Sequence, residues 1–168
     1  LGAMTHTAYI AIGSNLGDSY KNCIEAIERI SKSDNIKIIS ESSFYQTSPI
    51  GYIKQEWFIN STIKINTSLA PENLLSQLLN IESEMGRVQK EKWGPRLIDL
   101  DLLFYDKLIL NRKSIILPHP EIQKRKFVLI PLAEIACDLS HPTLKKTIST
   151  LLVESKDDSV VKKLASPI

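Results

Sequence analysis

The residues in this chain best suited to chemistry gather in one stretch, Trp93-Gly94-Pro95-Arg96-Leu97-Ile98-Asp99-Leu100-Asp101-Leu102-Leu103-Phe104. Its second half is aliphatic except for Asp99 and Asp101. A strand alternates its faces, so this spacing puts both carboxylates on one side and Ile98, Leu100 and Leu102 on the other. Paired carboxylates on a largely buried strand repel each other and lose solvation unless a positive charge sits between them. A hard divalent cation, Mg2+ above all, suits such oxygens. The alternative is an exposed edge on which both acids are merely solvated, and the length of the apolar flank argues against it. Gly94-Pro95 forms a loop that delivers Arg96 beside the acids. Two carboxylates, a metal and an arginine are the parts of phosphate chemistry.

The elements that must position these groups follow from periodicity and punctuation. Residues 8–12 form a short apolar strand, and a helix starts near Ser19 behind Asp18, with Tyr20, Cys23, Ile24, Ile27 and Ile30 at helical spacing. Residues 36–45 are expected as one strand whose apolar core is Ile36, Ile38 and Ile39, and 57–66 as a strand pairing with it antiparallel. Pro71 and Glu72 open a second helix along Leu74, Leu78, Ile81 and Met85, which Gly86 stops. Residues 87–96 form a charged loop before the aspartate strand, expected to be mobile when empty and to close over substrate. Asp106-Lys107 makes a turn, 108–110 and 114–117 are short strands, and 128–136 is a helix with Pro131 in its first turn. A further short helix follows Leu144, and 156–168 reads as a polar tail or linker stub. Strand, helix, strand, strand, helix, strand is the ferredoxin-like order, an α+β fold with helices on one face of an antiparallel sheet.

Composition sets the outer limits. The 168 residues suffice for one domain with a sizeable core, and 43% hydrophobic with 24% charged is ordinary for a globular protein. A net charge of +2 without a basic run argues against nucleic acid, and no apolar stretch or leader pattern points to a membrane or to export. Cys23 and Cys137 are isolated, so two reduced thiols in a cytoplasmic protein are expected. Leu1 to Met4 reads as a remnant of expression cloning ahead of a natural start at Met4.

The string Trp93-Gly-Pro-Arg-x-x-Asp-Leu-Asp-Leu-Leu resembles the signature of the 6-hydroxymethyl-7,8-dihydropterin pyrophosphokinases of folate synthesis. Supporting blocks occur in the family's order: 11–17 (Ala-Ile-Gly-Ser-Asn-Leu-Gly), 43–47 (Ser-Phe-Tyr-Gln-Thr), Phe58-Ile59-Asn60, Gly86-Arg87, Pro118-His119-Pro120 and 125–129 (Arg-Lys-Phe-Val-Leu). The resemblance implies a single pyrophosphokinase domain over residues 5–155, with a C-terminal portion covering the second face of the sheet. It implies transfer of the β,γ-diphosphate of ATP to the pterin hydroxymethyl group, giving AMP and a pterin diphosphate, with two Mg2+ ions at Asp99 and Asp101. Arg96, Arg87 and Lys92 would join the two acids in catalysis. ATP would lie against Glu82, Arg87, Lys92, Arg96, Ile98, His119 and Arg125. The pterin would be sandwiched by Phe58 and Phe127, with Asn60, Thr47 and Ser48 at its hydrogen-bonding edge and Trp93 nearby. Gln89 and Lys92 depart from the arginines common in this loop, and lysine keeps the charge but not the bidentate fork. The resemblance leaves open whether the domain stands alone or in a fusion with another folate-pathway enzyme.

Two rival readings share parts of this pattern. Another two-metal nucleotidyl or phosphoryl transferase on a similar sheet would need the acids but not Trp-Gly-Pro-Arg or the aromatic blocks. A non-catalytic binding module would not need both aspartates beside Arg96.

Overall fold

The fold was obtained as a computed structural model and is described for residues 3–49, 56–86 and 96–165. The chain runs β1 (His6–Ser14), α1 (Ser19–Ser31), β2 (Ile36–Glu41), β3 (Tyr45–Thr47), β4 (Phe58–Thr67), α2 (Pro71–Glu84) and β5 (Asp99–Tyr105). It continues through β6 (Leu110–Asn111), β7 (Ile116–Leu117), a 3-10 turn (Ile122–Lys124), α3 (Lys126–Ala136), α4 (Ile148–Glu154) and β8 (Val161–Lys163). The main sheet has the order β5-β1-β4-β3-β8, with β2 on the same side of β4 as β3. Its β1–β4, β1–β5, β2–β4 and β3–β4 pairings are all antiparallel, which is the ferredoxin-like arrangement.

Alternation along β1 builds two cores. Ala8, Ile10 and Ile12 join Cys23, Ala26, Ile30, Leu74 and Leu78 under α1 and α2. Tyr9 and Ala11 face the other way, toward Val128, Leu129 and Leu132 of α3 and Ile148 and Leu151 of α4. The C-terminal helices therefore cover the face opposite α1 and α2. Strand β5 follows the same logic until the register shifts beside Tyr9 and Ile10. This irregularity lets consecutive residues Leu103 and Phe104 both enter the α3–α4 core.

Local chemistry accounts for the element ends. Asp18 caps α1 by accepting the Lys21 N–H at 3.1 Å, and Pro71 occupies the first turn of α2, where its missing N–H costs nothing. Five sequence expectations need correction. The strand expected over 36–45 is two strands, because Ser42 leaves the ladder and its Oγ accepts the Thr62 N–H at 2.9 Å. Ile39 is not core: the β2–β4 register shifts between Ile38 and Ser40, leaving Ile39 41% exposed. Pro131 is the sixth residue of α3, not in its first turn, so the helical bond that residue 131 would donate to the Phe127 carbonyl is absent. Residues 161–163, within the stretch expected as a tail, form β8 on the free edge of β3. The expected strands at 108–110 and 114–117 shrink to residue pairs, since Arg112 and Ile115 close a tight turn by exchanging backbone hydrogen bonds of 3.0 and 3.2 Å.

Candidate active site

The strand registers bring the separate sequence blocks onto one face. Asp99 lies opposite Gly13, Gly13 opposite Asn60, and Asn60 opposite Tyr45, so these four form a row across β5, β1, β4 and β3. The neighbouring row puts Asp101 opposite Ala11. Phe58, two residues before Asn60, points to the same side and pairs with Thr47. This is the face of Tyr9 and Ala11, on which α3 packs with Phe127 in its first turn. Both aspartates are half-buried, and their neighbours on β1 are the two smallest side chains available, Ala11 and Gly13. Neither neighbour on β1 projects a bulky side chain beside the carboxylates.

Gly13 has a second function in this row. A Cβ placed on it would come within 2.9 Å of Asn60 Nδ2, so only glycine lets the Asn60 carboxamide lie across β1. Asn60 Oδ1 and Thr47 Oγ1 are buried and have no hydrogen-bond partner among the described residues. A buried polar atom is normally satisfied, so two of them on the same strand pair are what a hydrogen-bonding ligand edge would complete. Gly13→Ala is expected to reduce affinity for a ligand held by this edge about tenfold, the ~1.4 kcal/mol of one displaced polar group, while affinity for a ligand held at the aspartate end of the row stays constant. Calorimetric titration of each ligand checks this, and an equal loss for both ligands would contradict it.

Asn15, buried just after β1, fixes both flanks of the site. Its Oδ1 accepts the Arg96 N–H at 2.7 Å, its own N–H donates to the Arg96 carbonyl at 2.9 Å, and its Nδ2 donates to the Glu56 carbonyl at 3.0 Å. The turn after β1 thus anchors the chain entering β4 and the chain entering β5. The Gly13-Ser14-Asn15 block signalled this position in the sequence, but nothing local revealed which backbone its amide would hold.

His119 follows the cis Leu117–Pro118 bond, and its N–H donates to the Leu103 carbonyl at 2.9 Å, which ties its loop to β5. Its Nδ1 accepts the Glu121 N–H at 3.1 Å, which leaves the proton of the neutral ring on Nε2. Burial lowers its pKa from the usual 6.5, Asp101 opposes that shift, Arg125 adds to it and Glu121 opposes it. A histidine whose folded pKa is depressed binds fewer protons than the unfolded chain below about pH 6.5, so it makes stability fall as pH drops through that window. His141, also buried and shifted down by burial, acts in the same direction. Thermal melts from pH 7.5 to 5.0 are expected to show this loss, and His119→Gln to flatten it. An unchanged slope would show that His119 is not its source.

The remaining expected site residues fall into three groups. Arg125 precedes α3, its guanidinium carbon 5.7 Å from the centre of the Phe127 ring. Ser48 lies just beyond β3 at the end of the row carrying Thr47. Glu82 and Ile98 have structural tasks: Glu82 is 5% exposed and its Oε2 accepts the Leu100 N–H at 2.7 Å, and Ile98 is buried in the α1–α2 core. Only the backbone of Ile98 can meet a ligand. Arg87, Lys92 and Trp93, with Gln89 and the rest of the loop expected to close over substrate, lie outside the described residues.

Trp57 resolves a register question. Its ring lies 5.8 Å from Lys162 Nζ, and Lys162 pairs with Gln46, which pairs with Ile59. Trp57 therefore belongs to the Ile59 side of the sheet, and Phe58 with Asn60 to the α3 side.

As a metal site the donor set is partial. Among the described residues no group of three or more His, Cys, Asp and Glu side chains could hold an ion. Two half-buried carboxylates on one face fit Mg2+, which takes one or two carboxylates and completes its shell with water and phosphate oxygens. Among the described residues, no helix is long and apolar enough to cross a membrane.

Comparison with known proteins identifies the family of the chain. The family described as 7,8-dihydro-6-hydroxymethylpterin-pyrophosphokinase matches residues 9–137. The 2-amino-4-hydroxy-6-hydroxymethyldihydropteridine pyrophosphokinase of Methylorubrum extorquens is 42% identical over 132 residues, 79% of this chain and 84% of that protein. The protein of the same name from Haemophilus influenzae is 39% identical over 156 residues, 93% and 97% of the two chains. Among solved structures, a Plasmodium falciparum HPPK-DHPS with pteroate superposes with a TM-score of 0.72 at 15% identity, over 89% of this chain and 42% of that one. That similarity is one of fold, and the chain spans less than half the length of such two-part proteins. With the family match covering both aspartates, Asn60, His119 and Phe127 in one continuous span, the chain belongs to the 7,8-dihydro-6-hydroxymethylpterin-pyrophosphokinase family.

Proposed function

We propose that this chain transfers the β,γ-diphosphate of ATP to the hydroxymethyl group of 6-hydroxymethyl-7,8-dihydropterin. The hydroxyl oxygen attacks the β-phosphorus and gives up its proton to solvent water, while the bond from the β-phosphorus to the α,β-bridging oxygen breaks so that this oxygen leaves on AMP. The observation that carries this reading is the single face shared by the Asp99–Asp101 pair and the Phe58, Asn60 and Thr47 group, with Asn60 Oδ1 and Thr47 Oγ1 unsatisfied.

Asn60 and Thr47 hold the amide edge of the pterin, and Phe58 and Phe127 supply flat apolar surface for its ring. That orientation directs the hydroxymethyl group along the row toward Asp99, since Gly13 between them has no side chain to block it. Asp99 and Asp101 would hold Mg2+, two ions in this reading, which would neutralise phosphate charge and make the substrate hydroxyl more acidic. Neutral His119 offers its Nε2–H, and Arg125 and Arg96 their guanidinium groups, to the triphosphate. Arg96 is assigned to charge that develops during transfer, so Arg96→Ala is expected to lower kcat more than it weakens ATP binding. A change confined to ATP affinity would make Arg96 a ground-state clamp.

The decisive assay incubates the protein with ATP, Mg2+ and the hydroxymethyl-dihydropterin and identifies the nucleotide formed. AMP is expected, and a chelator is expected to stop its formation. ADP or inorganic pyrophosphate as product would overturn the reading.

A further inference from the structure

Residues 155–163 lie beyond the stretch matched by the family and, in the structure, form a strap along the pterin side of the site. The strap makes three attachments. At the start of α3, Asp157 Oδ2 accepts the Lys126 N–H at 2.8 Å, and Asp157 Oδ1 accepts the Ser159 N–H at 2.9 Å and the Ser159 hydroxyl. Arg125, at the N-cap of α3, contributes no side-chain cap, so a carboxylate 31 residues further along the chain satisfies the helix end. The strap next reaches Ser48, whose N–H donates to the Val160 carbonyl and whose Oγ accepts the Val160 N–H, both at 3.0 Å. Finally β8 pairs with β3, Val161 opposite Thr47, and Lys162 comes over the ring of Trp57.

These attachments fall on both walls of the pterin slot. Lys126 immediately precedes Phe127, and Thr47 with Ser48 forms the end of the strand pair bearing Phe58. Further along α3, Glu134 accepts hydrogen bonds from the Ser43 N–H at 3.0 Å and the Tyr45 hydroxyl at 2.5 Å, which pins that end of the helix to β3. Burial pushes the Glu134 carboxyl up, but the Tyr45 and Ser43 hydrogen bonds outweigh it and hold the group below its usual range. The first turn of α3, which carries Phe127, is the end held by Asp157, and helix ends left without partners fray first.

We propose that the strap is a positioning element for pterin: by capping α3 through Asp157 and extending β3 through Ser48 and β8, it sets the gap between Phe127 and the Phe58–Thr47 wall. Asp157 is its central positioning residue and touches neither substrate. The proposal rests on the function given above.

Steady-state kinetics of the full chain, with AMP as the readout, test it. Asp157→Ala is expected to raise KM for the pterin roughly tenfold, a loss typical of a misplaced substrate-orienting group, with KM for ATP changed less than about twofold. Asp157→Asn keeps one oxygen able to accept the Lys126 N–H and is expected to recover at least half of that loss on a logarithmic scale. If Asp157→Ala did not fold, Ser159→Ala, which removes one bond to the same carboxylate, is expected to show a smaller shift in the same direction. An unchanged pterin KM in an active variant, or equal losses for pterin and ATP, would overturn the positioning role. Absence of AMP from the unaltered protein would instead overturn the proposed function, and the positioning role with it.

Discussion

Asp99→Ala and Asp101→Ala are each expected to cut kcat at least a hundredfold, about 2.7 kcal/mol of transition-state stabilisation, while leaving the fold intact. The two carboxylates share one face, and their β1 neighbours, Gly13 and Ala11, cannot replace a lost oxygen. Among the described residues no third acid or histidine completes a metal-binding group, so removal of either aspartate halves the protein's own contribution. Neither substitution leaves a large cavity, because both side chains are only half-buried. Relief of repulsion between like charges is expected to hold the melting temperature or raise it. Rates at saturating Mg2+ together with thermal melts check both parts. A variant retaining more than about a tenth of the wild-type rate, a difference of only ~1.4 kcal/mol, would rule out the metal assignment.

Phe58→Ala is expected to weaken pterin binding by about 1–3 kcal/mol, by analogy with an aromatic ring stacked on a nucleic acid base. That range corresponds to roughly 5- to 150-fold in affinity. ATP affinity is expected to be almost unaffected, because the groups proposed to face phosphate lie on β5 and in the His119 loop. Trp57 provides the control. Its ring packs near Lys162 on the other side of the sheet, so Trp57→Phe is expected to be mild for both ligands. Titration of the pterin into each variant, with and without a non-hydrolysable ATP analogue, measures the difference. Loss of pterin binding in Trp57→Ala with retention in Phe58→Ala would mean that the β4 register is wrong by one residue.

Much of this was legible from the sequence because it rests on short-range rules. Period-two alternation put Asp99 with Asp101 and Phe58 with Asn60, and the Asp18 cap, the Pro71 start and the Gly86 stop bounded α1 and α2. The ferredoxin-like order followed from those elements, and the shared face of Asp99 and Asp101 from two acids one residue apart in an apolar run. Local rules failed where a distant partner competed with them. Ser42 broke an otherwise continuous strand because its hydroxyl oxygen accepts the Thr62 N–H, and Ile39 left the core because a register shift reassigned its face. Pro131 sits in the second turn of α3 because tertiary packing against β4 and α4 outweighs a local penalty.

What the sequence determined by itself was therefore the inventory: which residues could carry charge, which could stack, and on which side of its own strand each must point. Apart from the antiparallel pairing of 57–66 with 36–45, which the sequence anticipated, tertiary structure decided which strand lay beside which. That choice made Gly13 the gap between Asp99 and Asn60, turned Asn15 into the anchor of two loops and committed Glu82 to an edge of β5. It also drew residues 155–163 out of an expected tail and onto α3 and β3. The physical reason is that a pairing register joins backbone groups that every residue carries, and the Lys126 N–H capped by Asp157 from 31 residues away is likewise a group that every residue carries, so no local pattern announces the match.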